Sequence, residues 1–200
     1  MTGIQGKEVA LFSTRVWVFA PEKGLTNKLG NINQALLKRI QEAKVGAGQS
    51  RSARGCWRLE DAHLLDELED VMEHIRTIIT KICVAGDLGT KKRRFSAWVD
   101  VMDQWGSHVT HHHAPNLLSG VFYLEVPEGS SNLILRDPRP LRFIHDTNTQ
   151  AMEIPVQASK GSTIVFPSWL EHYVEASDRN AGRTTLSFNV GEEIGQKATS

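Results

Sequence analysis

Hydrophobic periodicity changes character once along this chain, at about Arg94. Before that point apolar residues recur at helical spacing. After it the helical rhythm stops, and short β-rich runs alternate with turn residues. Few folds accept that order: helices must pack against a β-sandwich, jelly roll or barrel built from the second half. Leu29, Ile32, Leu36, Leu37 and Ile40 predict one helix face over about 27–43. Leu64, Leu65, Leu68, Val71, Met72, Ile75, Ile78 and Ile79 predict a second, with Asp61 positioned to cap it. An opening strand is expected over 11–19, ended by Pro21, and a loop over 46–55. The later runs fall at 95–102, 117–126, 133–136, 151–156, 161–166, 173–176 and 184–190. The expected fold class is mostly β with N-terminal helices, a single domain. Its flank and opening strand span about 1–94, its β core about 95–190, and a mobile tail 191–200.

Composition removes several function classes. Lys plus Arg and Asp plus Glu both number 23 in the 200 residues, so the formal net charge is zero. Such a chain has no global attraction to nucleic acid or to an anionic membrane. The basic run Lys91-Lys92-Arg93-Arg94 reads as a solvated loop. Cys56 and Cys83 form neither a disulfide framework nor a zinc motif, and they read as reduced thiols. Val9-Ala10-Leu11-Phe12 is interrupted by Ser13 and Arg15, too early for a signal peptide or a membrane span. A cytoplasmic location is therefore expected.

Chemistry concentrates between Gly106 and Pro115. His108, His111, His112 and His113 supply four of the chain's 8 histidines. In extended chain, residues two apart point to one side, so His111 and His113 would project together and His112 away. Neutral imidazoles bind Fe(II), Zn(II), Ni(II) and Cu(II). A pair makes a weak site, and His172 is the best third ligand. A solvated histidine-rich loop is the competing explanation. His63, His74 and His145 are isolated and read as ordinary surface or helix residues. Arg183 opens a run in which Arg183, Thr185 and Ser187 share one face. An arginine beside a hydroxyl suits capture of a carboxylate.

These residues together resemble a small family of 2-oxoglutarate/Fe(II) oxygenases found mainly in bacteria and marine phages. The likeness runs through most of the chain. Ala10-Leu11-Phe12-Ser13-Thr14-Arg15-Val16-Trp17 is similar to the family's opening strand, and Ser52-Ala53-Arg54-Gly55-Cys56-Trp57 to its Ser-Asn-x-Gly-Gly-Trp segment. Ala97-Trp98-Val99-Asp100-Val101 resembles a strand that usually reads Trp-x-Asn. His111-x-His113 with Ser119-Gly120-x-x-Tyr123 follows. Asp137-Pro138-Arg139, Phe166-Pro167-Ser168-Trp169-Leu170-x-His172 and Arg183-x-Thr185-x-Ser187-Phe188-Asn189 come next, in family order.

The resemblance implies a double-stranded β-helix, the jelly roll, binding Fe(II) through His111, His113 and His172. It implies 2-oxoglutarate as co-substrate, its far carboxylate on Arg183 with Thr185 beside it and Tyr123 adding a hydrogen bond. Dioxygen would be consumed, succinate and carbon dioxide released, and an unidentified substrate hydroxylated. No side chain beyond the metal ligands need act as a catalytic base. Three departures stand out. The wider superfamily has Asp or Glu at the second ligand position, where this chain has His113; Asp100 and Asp103 are the nearby carboxylates that offer an alternative. Ala114-Pro115-Asn116 displaces the family's His-Pro-Asn by one. Ala53 and Asp100 replace asparagines. Two alternatives stay open: a cupin-like three-His dioxygenase or metal-binding jelly roll without 2-oxoglutarate, and a β-sandwich module with incidental histidines. A small molecule or a protein would be the substrate, nucleic acid is not expected, and a homodimer stays open.

Overall fold

Among the described residues, strand alternation and two longer helices build the molecule outward from one curled sheet. The computed structural model describes residues 13–43, 52–60, 68–86, 88, 92–139 and 152–192. The first half contains β1 (Trp17–Phe19), α1 (Lys23–Thr26), α2 (Leu29–Ala43), β2 (Ala53–Leu59) and α3 (Glu69–Ala85). Then come β3 (Arg93–His111), β4 (Leu118–Glu125), β5 (Leu133–Arg136) and β6 (Glu153–Val156). β7 (Thr163–Pro167), β8 (His172–Val174) and β9 (Thr184–Glu192) complete the sheet. No helix among the described residues is long and apolar enough to cross a membrane.

Helix α3 forms because its apolar residues share one stripe. Val71, Met72, Ile75, Ile78, Ile79, Ile82 and Cys83 are all buried, while Glu69 and Asp70 sit favourably in its first turn. That stripe packs with Leu29 and Leu36 of α2 onto Phe122, Leu124, Leu186, Phe188 and Val190 of β4 and β9. The other face of the same strands meets a second apolar cluster, which includes Val121, Tyr123, Leu133, Phe166 and Val174. Two strands therefore separate a helix-covered face from an inner one.

The sheet is antiparallel, in the order β1-β7-β4-β9-β3-β8-β5-β6, with β2 added to β3. Strand β3 is the pivot. It pairs β9 from Arg93 to Val101 and β8 from His108 to His111, and β2 runs beside it from Val99 to His108. The handover occurs at a bulge, where Trp105 takes a φ of 65°. Gly106 is required there. An added Cβ would lie 2.8 Å from both the Gly55 carbonyl and the Met102 Cβ. The buried Asn180 amide ties this bend down, donating to the Gly106 carbonyl at 2.7 Å and the Glu175 carbonyl at 2.9 Å.

The jelly-roll class read from the sequence is the class observed. Local differences have physical reasons. Residues 53–59 form β2 where the Gly/Ser content suggested that a loop would reach Gly55, because Cys56 and Leu59 bury their side chains while pairing with β3. The second predicted helix is α3, described from Glu69 to Ala85; Asp61, the expected cap, lies outside the described residues. The run at 95–102 and the histidine stretch up to His111 are one bulged strand of 19 residues. Of the expected 191–200 tail, Gly191 and Glu192 complete β9, and 193–200 lie outside the described residues.

Candidate metal and anion site

Register alone sets the first two histidines together. His111 ends β3, His172 begins β8, and the antiparallel pairing puts them directly opposite. His113 arrives from the turn beyond β3. Its backbone N–H donates to the Ser168 carbonyl at 2.7 Å, which pins the turn to the loop preceding His172. Its carbonyl accepts from the Asn116 amide side chain at 2.8 Å. Ring centroids lie 4.9 Å apart for His111 and His113, 4.3 Å for His111 and His172, and 5.1 Å for His113 and His172. One nitrogen from each ring falls within 4.8 Å of the other two. His112 is exposed, and its Nδ1 accepts from the Ala114 N–H at 3.3 Å.

Two of these rings have their tautomer fixed. His111 Nδ1 lies 2.7 Å from the Val109 carbonyl, and His172 Nδ1 lies 2.9 Å from the Leu170 carbonyl. A carbonyl only accepts, so Nδ1 carries the proton in both and Nε2 keeps its lone pair for a metal. Burial holds the rings neutral. It pushes His113 down to about 4, helped by His111, and lowers His111 and His172 as well. Neutral imidazole is the metal-binding form. Three such donors on one side fit a divalent transition metal with open positions opposite.

Arg183 stands immediately before β9, on the side of the sheet that faces these histidines. It is 2% exposed, and its guanidinium carbon lies 5.2 Å from the centre of the Tyr123 ring. Tyr123 is paired with Thr185 across β4 and β9, so the hydroxyl-bearing residues adjoin the arginine. Arg183 Nη1 donates to the Met102 sulfur at 3.5 Å. Among the described residues its Nε and the Tyr123 hydroxyl are buried without a hydrogen-bond partner. Among the described residues no carboxylate pairs with Arg183. A buried cation left so is costly unless an anion completes it. The donors on hand suit a carboxylate.

One cavity of about 710 Å³ joins both halves, lined by His111, His113, His172, Tyr123, Arg183 and Thr185 among others. Its size is that of a small-molecule site. Asp100 and Asp103 do not join the three candidate ligands, although Asp100 Oδ2 lies 3.7 Å from His108 Nε2. Asp100 is fully buried and accepts from Arg58 at 2.8 and 3.0 Å and from the Trp98 indole at 3.0 Å. Asp103 accepts from the Trp57 indole at 3.0 Å.

His108 also belongs to this wall. Burial pushes it down to about 4, its ring lies 5.9 Å from that of His111, and Ser52 Oγ is 3.4 Å from its Nδ1. Sequence gave no separate role to it, because its approach depends on the bulge between His108 and His111. Arg58 was likewise not singled out, since its chamber-facing position depends on the unexpected strand β2. His74 instead packs edge-on to Phe122 at 5.9 Å, and His63 and His145 lie outside the described residues.

Residues 96–189 match the sequence profile of a family described as "Putative 2OG-Fe(II) oxygenase". No curated protein matches the chain. Among solved structures, the chain is similar to a prolyl-4-hydroxylase of Pseudomonas putida, at a TM-score of 0.65 and 15% identity, covering 90% of this chain and 94% of that one. A Trichoplax adhaerens prolyl hydroxylase, solved with a hypoxia inducible factor peptide, gives 0.64 and 13%, covering 92% and 87%. HygX of Streptomyces hygroscopicus, solved with nickel, 2-oxoglutarate and hygromycin B, gives 0.60 and 10%, covering 90% and 83%. At these identities the likeness is one of fold.

Proposed function

We propose, from the match of residues 96–189 to the 2OG-Fe(II) oxygenase profile, that His111, His113 and His172 hold an iron and Arg183 a 2-oxoglutarate. All of those residues, with Tyr123 and Thr185, fall inside the matched stretch 96–189. When bound, Fe(II) and 2-oxoglutarate supply the oxidising chemistry with dioxygen, releasing succinate and carbon dioxide and hydroxylating a C–H bond. The protein's share is geometry and a dry chamber. Backbone carbonyls of Val109 and Leu170 orient two ligand rings, and the Arg183 guanidinium takes the far carboxylate of the co-substrate. Thr185 lies beside that arginine, and the Tyr123 hydroxyl is free to donate to the same group. Leu133, Phe166 and Val174 line the chamber with apolar surface that keeps water out.

The observation that carries this reading is the buried Arg183 without a carboxylate partner, in one cavity with three neutral imidazoles. It also weighs against a histidine-rich surface loop, in which neither burial nor convergence would arise. A cupin-like metal dioxygenase without 2-oxoglutarate is favoured only by the third imidazole standing where a carboxylate is usual. That reading leaves Arg183 without a purpose. The substrate is a small molecule or a protein side chain. Cys56 and Cys83 are free and buried, which suits a reducing cytoplasm. The zero net charge gives nucleic acid no foothold, and a homodimer is compatible with the exposed sheet edge.

Anaerobically iron-loaded protein, given 2-oxoglutarate and then oxygen, should form succinate. His172→Ala and Arg183→Ala should both abolish it. Bound iron with no succinate, and no response to 2-oxoglutarate, would favour the cupin-like reading instead.

A further inference from the structure

The three candidate ligands are not held alike. His111 and His172 each have Nδ1 fixed by a backbone carbonyl two residues earlier, at 2.7 and 2.9 Å. Among the described residues nothing hydrogen-bonds the His113 ring. It packs instead against the indole of Trp98, with centroids 5.7 Å apart and planes tilted by 44°.

Trp98 is itself unusually fixed. Its Nε1–H donates to Asp100 Oδ2 at 3.0 Å within the buried interior. Asp100 accepts Arg58 through two nitrogens, Nε at 2.8 Å and Nη2 at 3.0 Å. The Arg58 guanidinium then lies over the indole, 5.0 Å from its centre. The carboxylate orients both the indole and the guanidinium, and the guanidinium covers the indole; His108 Nε2 flanks the same carboxylate, 3.7 Å from Oδ2. Cross-strand register makes this possible, since Arg58 of β2 is paired with Asp100 of β3. Asp100 stands where the resemblance has asparagine, and only the carboxylate compensates the arginine charge fully. A buried ion pair of this kind contributes little net stability. Its better-supported use is to fix one arrangement.

We propose that Trp98, locked by the Arg58–Asp100 pair, is the positioning residue for His113, replacing the hydrogen bond that the other two ligands donate to a backbone carbonyl. This rests on reading His111, His113 and His172 as metal ligands. Losing such support around a metal ligand typically weakens metal binding about 10- to 100-fold.

The test is Co(II) binding to the full chain, followed by affinity and by the visible absorption of the bound ion, with no turnover involved. Trp98→Leu should weaken binding about 10- to 100-fold and shift the Co(II) spectrum. Trp98→Phe, which keeps a ring against His113, should recover most of the affinity. Arg58→Leu/Asp100→Leu removes the clamp without leaving a lone buried charge, and should shift the spectrum in the same direction as Trp98→Leu. Thermal unfolding of the metal-free variants separates a positioning effect from lost folding. Should Trp98→Leu fail to fold, the double variant decides: a shifted spectrum supports the proposal, and wild-type affinity and spectrum overturn it. Wild-type binding in a folded Trp98→Leu overturns it equally. If wild type and His172→Ala bind Co(II) alike, the ligand assignment falls and the proposal with it.

Discussion

Strands β4 and β9 show two different solutions on their two faces. On the helix-covered face Phe122, Leu124, Leu186, Phe188 and Val190 are at most 1% exposed and belong to one apolar cluster. On the inner face Tyr123, Arg183 and Thr185 are nearly as buried, yet two of the three carry polar atoms with no partner among the described residues. One residue's step along either strand passes from a filled core to a surface short of an anion and a cation. The difference teaches that burial here has two meanings. The outer face is complete as folded, and the inner face is complete only with ligands.

The sharpest way to break that contrast is Phe188→Ala on the outer face. It should lower unfolding stability by about 3–5 kcal/mol, measured by denaturant titration, and leave Co(II) affinity of the folded protein unchanged. Arg183→Ala should do the reverse. Weakening of 2-oxoglutarate binding by about 2–5 kcal/mol is expected, read by calorimetry on the metal-loaded protein. Stability should stay within about 1 kcal/mol. Losing the weak Met102 sulfur contact and the Tyr123 ring contact is offset by removing a buried nitrogen that has no partner among the described residues. A Phe188 variant that lost metal affinity, or an Arg183 variant that unfolded, would dissolve the distinction.

A smaller effect should appear with acid. Burial holds His108 and His113 at about 4, below the ordinary 6.5 of an unfolded histidine. As pH falls the unfolded chain therefore takes up protons first. This contribution to stability is full above about 6.5 and is lost progressively as pH falls toward about 4. Thermal midpoints of metal-free protein across that window should decline, and less so in His108→Asn. A flat profile would mean that these imidazoles are more exposed to water than their burial indicates.

Much of this was legible in the sequence, unevenly. Strand 133–136 was read to the residue, because the short apolar run Leu133-Ile134-Leu135 lies between clear turn signals. The shared face of Arg183 and Thr185 follows from period-two alternation, whereas the family resemblance put His172 beside His111 and His113, and the β3–β8 register brings it to His111. Strand β2 escaped notice because Arg54, Gly55 and Arg58 break its apolar pattern; its pairing with β3 is a long-range contact. The clamp at Asp100 was illegible for the same reason. Arg58 and Asp100 are 42 residues apart, and only the β2–β3 register joins them. Local pattern marks which face a residue takes, but not which distant residue it meets there.

One chamber brings together three histidines able to hold a metal and an arginine with no carboxylate partner among the described residues. The most direct measurement is the anaerobic visible spectrum of iron-loaded protein titrated with 2-oxoglutarate, in wild type and Arg183→Ala. The account predicts a saturable charge-transfer band in wild type, and the same band at much higher 2-oxoglutarate concentration in the variant. Iron bound to His111, His113 and His172 with no spectral response to 2-oxoglutarate in either protein would contradict it.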